Sequence, residues 1–202
     1  MELKTLSEID IISASTSKIN QVDFENLTFG NVFTDHMLVC DFENGAWQKP
    51  VIKPYEPFMI DPSAKVFHYG QAIFEGMKAY KDTHDDVWLF RPDENFHRFN
   101  KSASRMAMPE VPEDVFMGGL HKLLEIEKDW VKKGNGNTLY IRPFMIATGH
   151  GVIAAPSSEY RFMIILSPAR AYYSGEVKVI IAEHFSRAAN GERKSTRLNS
   201  SH

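Results

Sequence analysis

Short apolar runs alternate with turn-forming residues in the first half of the chain, which is the pattern of β-hairpins. Strand-like runs at residues 36–42 and 47–55 flank Glu43-Asn44-Gly45, and Asn-Gly is a strong hairpin-turn signal. A second hairpin is predicted between residues 75–80 and 87–91. The first of these two segments also fits a helix, but its partner is rich in β-forming residues, which favours the strand.

Helical spacing follows the second hairpin. Asp93 is predicted as the N-cap of a helix over residues 94–107, whose apolar positions are Phe96, Phe99, Ala103 and Met106. A second helix is predicted to begin at Pro112 and to continue through Val131, until Gly134-Asn135-Gly136-Asn137 ends it.

Two further strands are predicted at Thr138–Ala147 and Tyr160–Leu166. The segment between them, residues 148–159, is longer than a plain connection needs, which is typical of a functional loop. Alternation along the first strand places Tyr140 and Arg142 on the same face.

These elements divide the chain into five predicted parts. They are an N-terminal arm (1–30), a small domain (31–167), a linker (168–176), the first strand of a further domain (177–191) and a tail (192–202). The tail reads ERKSTRLNSSH and contains a single apolar residue, so we expect it to be non-native.

Composition narrows the class of protein. The 202 residues are 43% hydrophobic, which is typical of a globular fold, and a net charge of -3 provides no positive field for nucleic acid or an anionic membrane. A lone Cys40 excludes a disulfide framework and a zinc ribbon. The first residues do not resemble a signal peptide, and no apolar run approaches the roughly 20 residues of a membrane span, so we expect a cytoplasmic protein.

Arginines provide the candidate chemistry. Arg98 shares one side of its predicted helix with Lys101 and Ser102, an arrangement that suits either a solvated helix face or a clamp for phosphate or carboxylate. The pair Tyr140 and Arg142 suits either a half-exposed sheet face or a carboxylate site. Histidine spacing for a metal is absent, as are GxGxxG, GxxxxGK[ST] and GxSxG motifs, so a metal site, a nucleotide site and a serine hydrolase are not expected.

Three blocks of the sequence carry a resemblance. They are His68-Tyr69-Gly70-Gln71-Ala72-Ile73-Phe74-Glu75-Gly76-Met77-Lys78-Ala79-Tyr80, then Leu89-Phe90-Arg91-Pro92 with Asn95-Phe96-His97-Arg98, and Leu139-Tyr140-Ile141-Arg142-Pro143. In order and spacing they resemble the branched-chain amino acid aminotransferases, which are fold-type IV pyridoxal-phosphate enzymes. The resemblance extends from about Phe29 to Gly191.

The resemblance implies an α/β fold, namely the small N-terminal domain of a fold-type IV aminotransferase, with an antiparallel sheet and two helices and with the large domain missing. It also implies a homodimer. The implied reaction moves an amino group between leucine, isoleucine or valine and 2-oxoglutarate, and the cofactor is pyridoxal 5'-phosphate.

Site residues are implied in the same way. Arg98 matches the arginine that binds the cofactor phosphate, Phe74 lines the apolar substrate pocket, and Tyr140 and Arg142 match a pair near the substrate. Arg142 suits the distal carboxylate of glutamate, so that one pocket accepts both an aliphatic and an acidic side chain.

Other matching positions belong to the assembly of the site. Tyr69 and the loop with Val152 match segments that reach into the partner subunit's active site in similar enzymes. Tyr172 matches the interdomain loop, and Arg187 matches the approach to the lysine that binds the cofactor covalently.

The sequence departs from the family after Gly191. By spacing, Arg197 stands about where the cofactor-binding lysine is expected, and Lys194 lacks the following Gly-Gly-Asn-Tyr context, so no catalytic residue is assigned in this chain. Three other functions stay open: a D-amino acid transaminase, an aminodeoxychorismate lyase, and a non-catalytic fragment that acts as a dimer-interaction module.

Overall fold

The structure is a computed structural model that describes residues 8–134, 136–170, 176, 178 and 179. Its strands are β1 (Asp10–Ile11), β2 (His36–Glu43), β3 (Ala46–Trp47), β4 (Val51–Pro54), β5 (Ala72–Phe74), β6 (Met77–Lys81), β7 (Val87–Leu89), β8 (Thr138–Ala147) and β9 (Tyr160–Ala169). Its α-helices are α1 (Lys65–Tyr69), α2 (Pro92–Arg105) and α3 (Gly119–Ile126). The strands form one sheet in the order β1-β4-β2-β9-β8-β6-β7, with β3 beside β2 and β5 beside β8.

Both predicted hairpins are confirmed. In the first, Asn44 and Gly45 have φ angles of 53° and 77°, the left-handed pair that a tight hairpin turn requires. In the second, β6 pairs antiparallel with β7, so the strand assignment of this segment is correct. The prediction of an antiparallel sheet needs one correction, because β1 pairs parallel with β4 and the sheet is mixed.

Strands β5 and β6 lie end to end along β8 in one continuous register. The gap between them falls opposite Pro143, whose carbonyl accepts a hydrogen bond from the Glu75 N–H at 2.9 Å. Proline has no N–H, so Pro143 cannot donate a hydrogen bond to Glu75 in exchange. The ladder of backbone hydrogen bonds along β8 is therefore interrupted there. Alternation across the gap directs Phe74 to one face of the sheet and Glu75 to the other.

One face of the sheet is covered by helices. Phe99 and Phe116 both pack on Phe162 of β9, with ring centroids 5.5 Å apart in each pair, and all three side chains are fully buried. Gly119, at the start of α3, permits this close approach, since a Cβ at that position would lie 2.6 Å from a methyl group of Leu38. The opposite face carries side chains that are partly exposed, among them Phe74.

The predicted helix boundaries change in two places. Helix α2 begins at Pro92 with left-handed Arg91 as its N-cap, so Asp93 lies inside the first turn and is not the N-cap. The second predicted helix is divided into a π-helical turn (Asp114–Gly118), α3 and a 3-10 turn (Lys128–Trp130). Helix α3 ends before Glu127, whose buried carboxylate is hydrogen-bonded to the Asp35 N–H and to His36.

Three other segments differ from the predictions or fall outside the description. Helix α1 was not predicted, and it ends at Gly70, whose φ of 60° closes the last turn. Strand β9 continues to Ala169, so Pro168 and Ala169 belong to the strand and not to the linker. Most of the linker and of the strand predicted at 177–183 lies outside the described residues, as does the tail 192–202.

The described part of the N-terminal arm packs on its own domain. Its anchor is Asp35, whose carboxylate accepts hydrogen bonds from the Lys18 N–H at 2.8 Å, from the Ser17 hydroxyl and from Trp130 Nε1 at 3.1 Å. Burial alone would raise the pKa of Asp35, but these hydrogen bonds outweigh it and lower the pKa. Asp35 therefore stabilises the fold in its ionised form.

Replacement of Asp35 by Asn is expected to lower the free energy of unfolding by about 1–3 kcal/mol, because an amide cannot accept bonds at both of its ends. Since the folded pKa is lowered, this stabilisation is present above about pH 4 and is lost as the pH falls through the folded value. Denaturant melts at pH 7 and at pH 3 measure both effects. Asp129→Asn, at an exposed position next to Trp130, is the matched control, and an equal loss in both variants would contradict this role of Asp35.

Candidate functional site

Three of the predicted site residues form one cluster on the partly exposed face of the sheet. The guanidinium carbon of Arg142 lies 4.4 Å from the ring centroid of Phe74. Its Nε and Nη2 atoms donate to the phenol oxygen of Tyr140 at 3.1 and 2.8 Å. We refer to Phe74, Tyr140 and Arg142 as the aromatic-arginine cluster.

The backbone explains why these side chains meet. Tyr140 and Arg142 are two residues apart on β8, so they share a face, and β5 runs antiparallel beside the same strand with Phe74 opposite Phe144. Phe29 packs edge-on against Tyr140, with ring centroids 5.0 Å apart, and helps to bury the tyrosine. The sequence prediction missed Phe29, because it comes from the arm and lies far away along the chain.

The cluster combines an apolar surface with a fixed cation. Two of the five N–H donors of a guanidinium are used on Tyr140, so donors remain for a planar carboxylate. Phe74 is 46% exposed and presents its ring beside the same guanidinium. Chemically, this arrangement suits a ligand whose side chain is either aliphatic or acidic.

Arg98 lies in a second group with Glu75. Its Nε and Nη2 atoms donate to the two carboxylate oxygens of Glu75 at 2.6 and 2.7 Å. Asn95 Nδ2 donates to the same carboxylate at 2.9 Å, and Glu75 is almost completely buried. The Arg98 guanidinium is permanently charged, and hydrogen bonding to Glu75 raises its pKa further.

This second group fits a phosphate. The carboxylate of Glu75 fixes one edge of the guanidinium, and the side chain of Arg98 is still 43% exposed. A rigidly held guanidinium with exposed donors is suited to phosphate oxygens. Glu75 was not predicted as a site residue, although a single acid within an apolar strand is the signal that could have identified it.

Tyr69 and Val152 form a third group. The Tyr69 hydroxyl donates to the backbone carbonyl of Val152, which joins helix α1 to the loop 148–159. Val152 itself is 64% exposed and Tyr69 is 46% exposed. The structure therefore connects the two residues that the resemblance assigned to the partner's site.

The other residues singled out in the sequence analysis come from the C-terminal part of the chain. Tyr172, Arg187, Lys194 and Arg197 lie outside the described residues. The part of the chain that the structure describes contains no group of three or more His, Cys, Asp or Glu side chains that could hold a metal ion. Within the same residues, no helix is long and apolar enough to cross a membrane.

Comparison with known proteins supports the resemblance. No protein-family model matches the sequence. The chain is 48% identical over 174 residues to branched-chain-amino-acid transaminase 1 of Bacillus subtilis, a match that covers 84% of this chain and 49% of that protein. Over most of its length this chain is similar to branched-chain aminotransferases. It is also 43% identical to branched-chain-amino-acid aminotransferase 2 of Bacillus subtilis, over 89% of this chain and 51% of that protein.

The fold agrees with this relationship. A crystal structure of the branched-chain aminotransferase from Thermoproteus uzoniensis superposes with a TM-score of 0.51 at 17% identity, and the match covers 66% of this chain and 41% of that chain. The expected fold class, the small domain of a fold-type IV aminotransferase, is thus confirmed. The chain spans about half the length of the curated branched-chain aminotransferases that it matches.

Proposed function

We propose that this chain is the N-terminal part of a branched-chain amino acid transaminase that uses pyridoxal 5'-phosphate and 2-oxoglutarate. Two relatives that are 43–48% identical over the 174–184 aligned residues are named as a branched-chain-amino-acid transaminase and a branched-chain-amino-acid aminotransferase. The observation that carries the proposal is the aromatic-arginine cluster, because Arg142 stacked on Phe74 provides an apolar wall and a cation at one place.

The two half-reactions place different demands on this cluster. Leucine, isoleucine or valine brings an aliphatic side chain, which packs on the ring of Phe74. Glutamate brings a distal carboxylate, which the free donors of Arg142 bind while Tyr140 holds the guanidinium in position. The cluster thereby orients both substrates with the same three side chains.

The cofactor phosphate is assigned to Arg98, and Glu75 holds the guanidinium in place. When bound, pyridoxal phosphate supplies the electron sink for breaking the bond to the substrate's α-hydrogen. Within the described residues, the contribution of the chain is to bind and orient. The lysine that binds the cofactor covalently is expected outside the segment of this chain that matches the first half of the relatives.

The proposed assembly is a homodimer in the cytoplasm. Tyr69 and Val152 are then contributed to the partner's substrate site, and their mutual hydrogen bond keeps them together as one unit. Tyr172 is assigned to the segment that connects the two domains.

The test uses a joined protein, in which residues 1–191 of this chain precede the C-terminal half of the Bacillus subtilis transaminase 1. We expect it to form glutamate from L-leucine, L-isoleucine and L-valine with 2-oxoglutarate. D-alanine and aminodeoxychorismate serve as rival substrates. Preferential turnover of either rival would overturn the proposal in favour of a D-amino acid transaminase or an aminodeoxychorismate lyase, and a folded but inactive protein would favour a non-catalytic module.

In the joined protein, Arg98→Ala is expected to weaken pyridoxal-phosphate binding about tenfold or more, because charge-assisted bonds to phosphate are about 1.5–3 kcal/mol each. Arg98→Lys should recover only part of this loss, since an ammonium cannot bind Glu75 and phosphate with the same planar geometry. Equilibrium titration followed by cofactor absorbance measures the affinity. Arg91→Ala, at a neighbouring exposed arginine, is the control, and an unchanged affinity in Arg98→Ala contradicts the phosphate assignment.

A further inference from the structure

Lys65, the first residue of α1, has an ammonium group in a buried position, which is unusual for lysine. The residue is 6% exposed, and its Nζ donates to the backbone carbonyls of Ile153 at 3.0 Å and Ala155 at 2.7 Å. Burying a charge is costly in free energy unless the charged group is hydrogen-bonded, so the Lys65 ammonium depends on the groups that it contacts. Its partners are both neutral carbonyls of the loop 148–159.

The same helix contacts this loop at several further points. The Lys65 N–H donates to the Gly149 carbonyl at 3.1 Å, and the Tyr69 hydroxyl donates to the Val152 carbonyl. Just before the helix, Ser63 Oγ accepts a hydrogen bond from the Gly151 N–H at 3.0 Å. Helix α1 therefore binds successive backbone groups along one side of the loop.

The base of the loop is closed by groups other than the Lys65 side chain. Ser157 Oγ accepts from the Gly149 N–H at 3.2 Å, and the Ser157 N–H donates to the side chain of Gln71 at 3.3 Å. A Cβ at Gly149 would lie 2.4 Å from Ser157 Oγ, so glycine is required for this closure. Between the closed base and the tip, the ammonium of Lys65 is the charged donor that fixes the loop backbone.

We propose that Lys65 is a positioning residue, which holds the carbonyls of Ile153 and Ala155 and thereby sets the direction in which Val152 and Ile153 project. These two apolar side chains are 64% and 71% exposed, so contacts of their own do not hold them in place. The inference rests on the proposed function, in which this tip supplies an apolar wall to the partner's substrate site. Lys65 acts through Val152 and touches neither substrate nor cofactor.

The experiment uses the full 202-residue chain and needs no catalytic activity, so its failure is distinct from failure of the proposed function. Amide hydrogen exchange is followed in the loop, where the Gly151 and Ala155 N–H groups are hydrogen-bonded, and in peptides of β8 and β9 as a measure of the whole fold. Lys65→Met keeps the length of the stem and removes the donors. Lys122→Met, at a lysine that pairs with Glu125 on α3, is the matched control.

We expect Lys65→Met to accelerate exchange of the loop amides about tenfold or more while β8 and β9 keep their protection. Lys65→Arg should restore most of the protection, because a guanidinium can also donate to two carbonyls. Tyr69→Phe, which removes only the hydrogen bond to the Val152 carbonyl, should loosen the tip alone. Unchanged loop exchange in Lys65→Met, faster exchange throughout the protein, or no recovery in Lys65→Arg would each overturn the proposal.

Discussion

Residues 1–202, expressed and purified alone, are expected to form no glutamate from leucine and 2-oxoglutarate. Transamination requires an amine held against the cofactor, which binds it covalently and then moves a proton. The sequence after Gly191 lacks the context of that lysine, and Lys194 has no matching neighbours. Among the described lysines, Lys65 is bound to loop carbonyls and Lys133 is paired with Asp85.

Lysine mapping tests this expectation directly. The purified chain is incubated with pyridoxal phosphate, reduced with borohydride and analysed by mass spectrometry, and leucine turnover is assayed in parallel. Lys78 is the residue to follow most closely, because it pairs across the strands with Tyr140 and so shares its face. Lys78→Arg is the control for incidental labelling there. Labelling of one specific lysine together with glutamate formation would contradict the expectation.

Arg142→Ala, made in the joined protein, is expected to raise the KM for glutamate and for 2-oxoglutarate about 10- to 100-fold. The distal carboxylate loses one or two charge-assisted hydrogen bonds, and each 1.4 kcal/mol corresponds to a tenfold change. Leucine has no group that pairs with the guanidinium, so its KM should change far less. Steady-state kinetics with both substrate pairs measures this difference.

Arg161→Ala is the matched control for Arg142. Arg161 also lies on a sheet strand beside an aromatic ring, with its guanidinium carbon 5.2 Å from the centroid of Phe58, and it pairs with Asp41. Loss of the Arg161 side chain should lower the free energy of unfolding. It should not change the KM of one substrate more than that of another. If Arg142→Ala weakens leucine and glutamate equally, the effect is a general defect of the fold and the dual-substrate role fails.

The local pattern of the sequence was enough to predict most strands of this fold, although it missed β1 in the N-terminal arm. The hairpin at Asn44-Gly45 and strand β8 follow from turn chemistry and from period-two alternation, both of which are properties of neighbouring residues. Alternation also placed Tyr140 and Arg142 on one face, and the structure shows them hydrogen-bonded. These features require no knowledge of distant contacts.

Helix ends were harder to predict, because partners far along the chain decide them. The second predicted helix has apolar residues at helical spacing beyond Glu127, yet α3 ends at Ile126. Glu127 turns inward there to bind His36, which lies far earlier in the sequence. Burial lifts the pKa of Glu127, opposed by its hydrogen bond to His36, and a pattern of apolar residues contains no information about such a pair.

The sequence by itself determined most of the strands, the family resemblance and the identity of the charged candidates Arg98 and Arg142, since these depend on residue type and short spacing. Tertiary structure alone decided which groups those cations meet. It paired Arg98 with Glu75, stacked Arg142 on Phe74 and buried the ammonium of Lys65 against the loop. The reason is physical: a charge is positioned by the groups that compensate its desolvation, and folding brings those groups from remote parts of the chain.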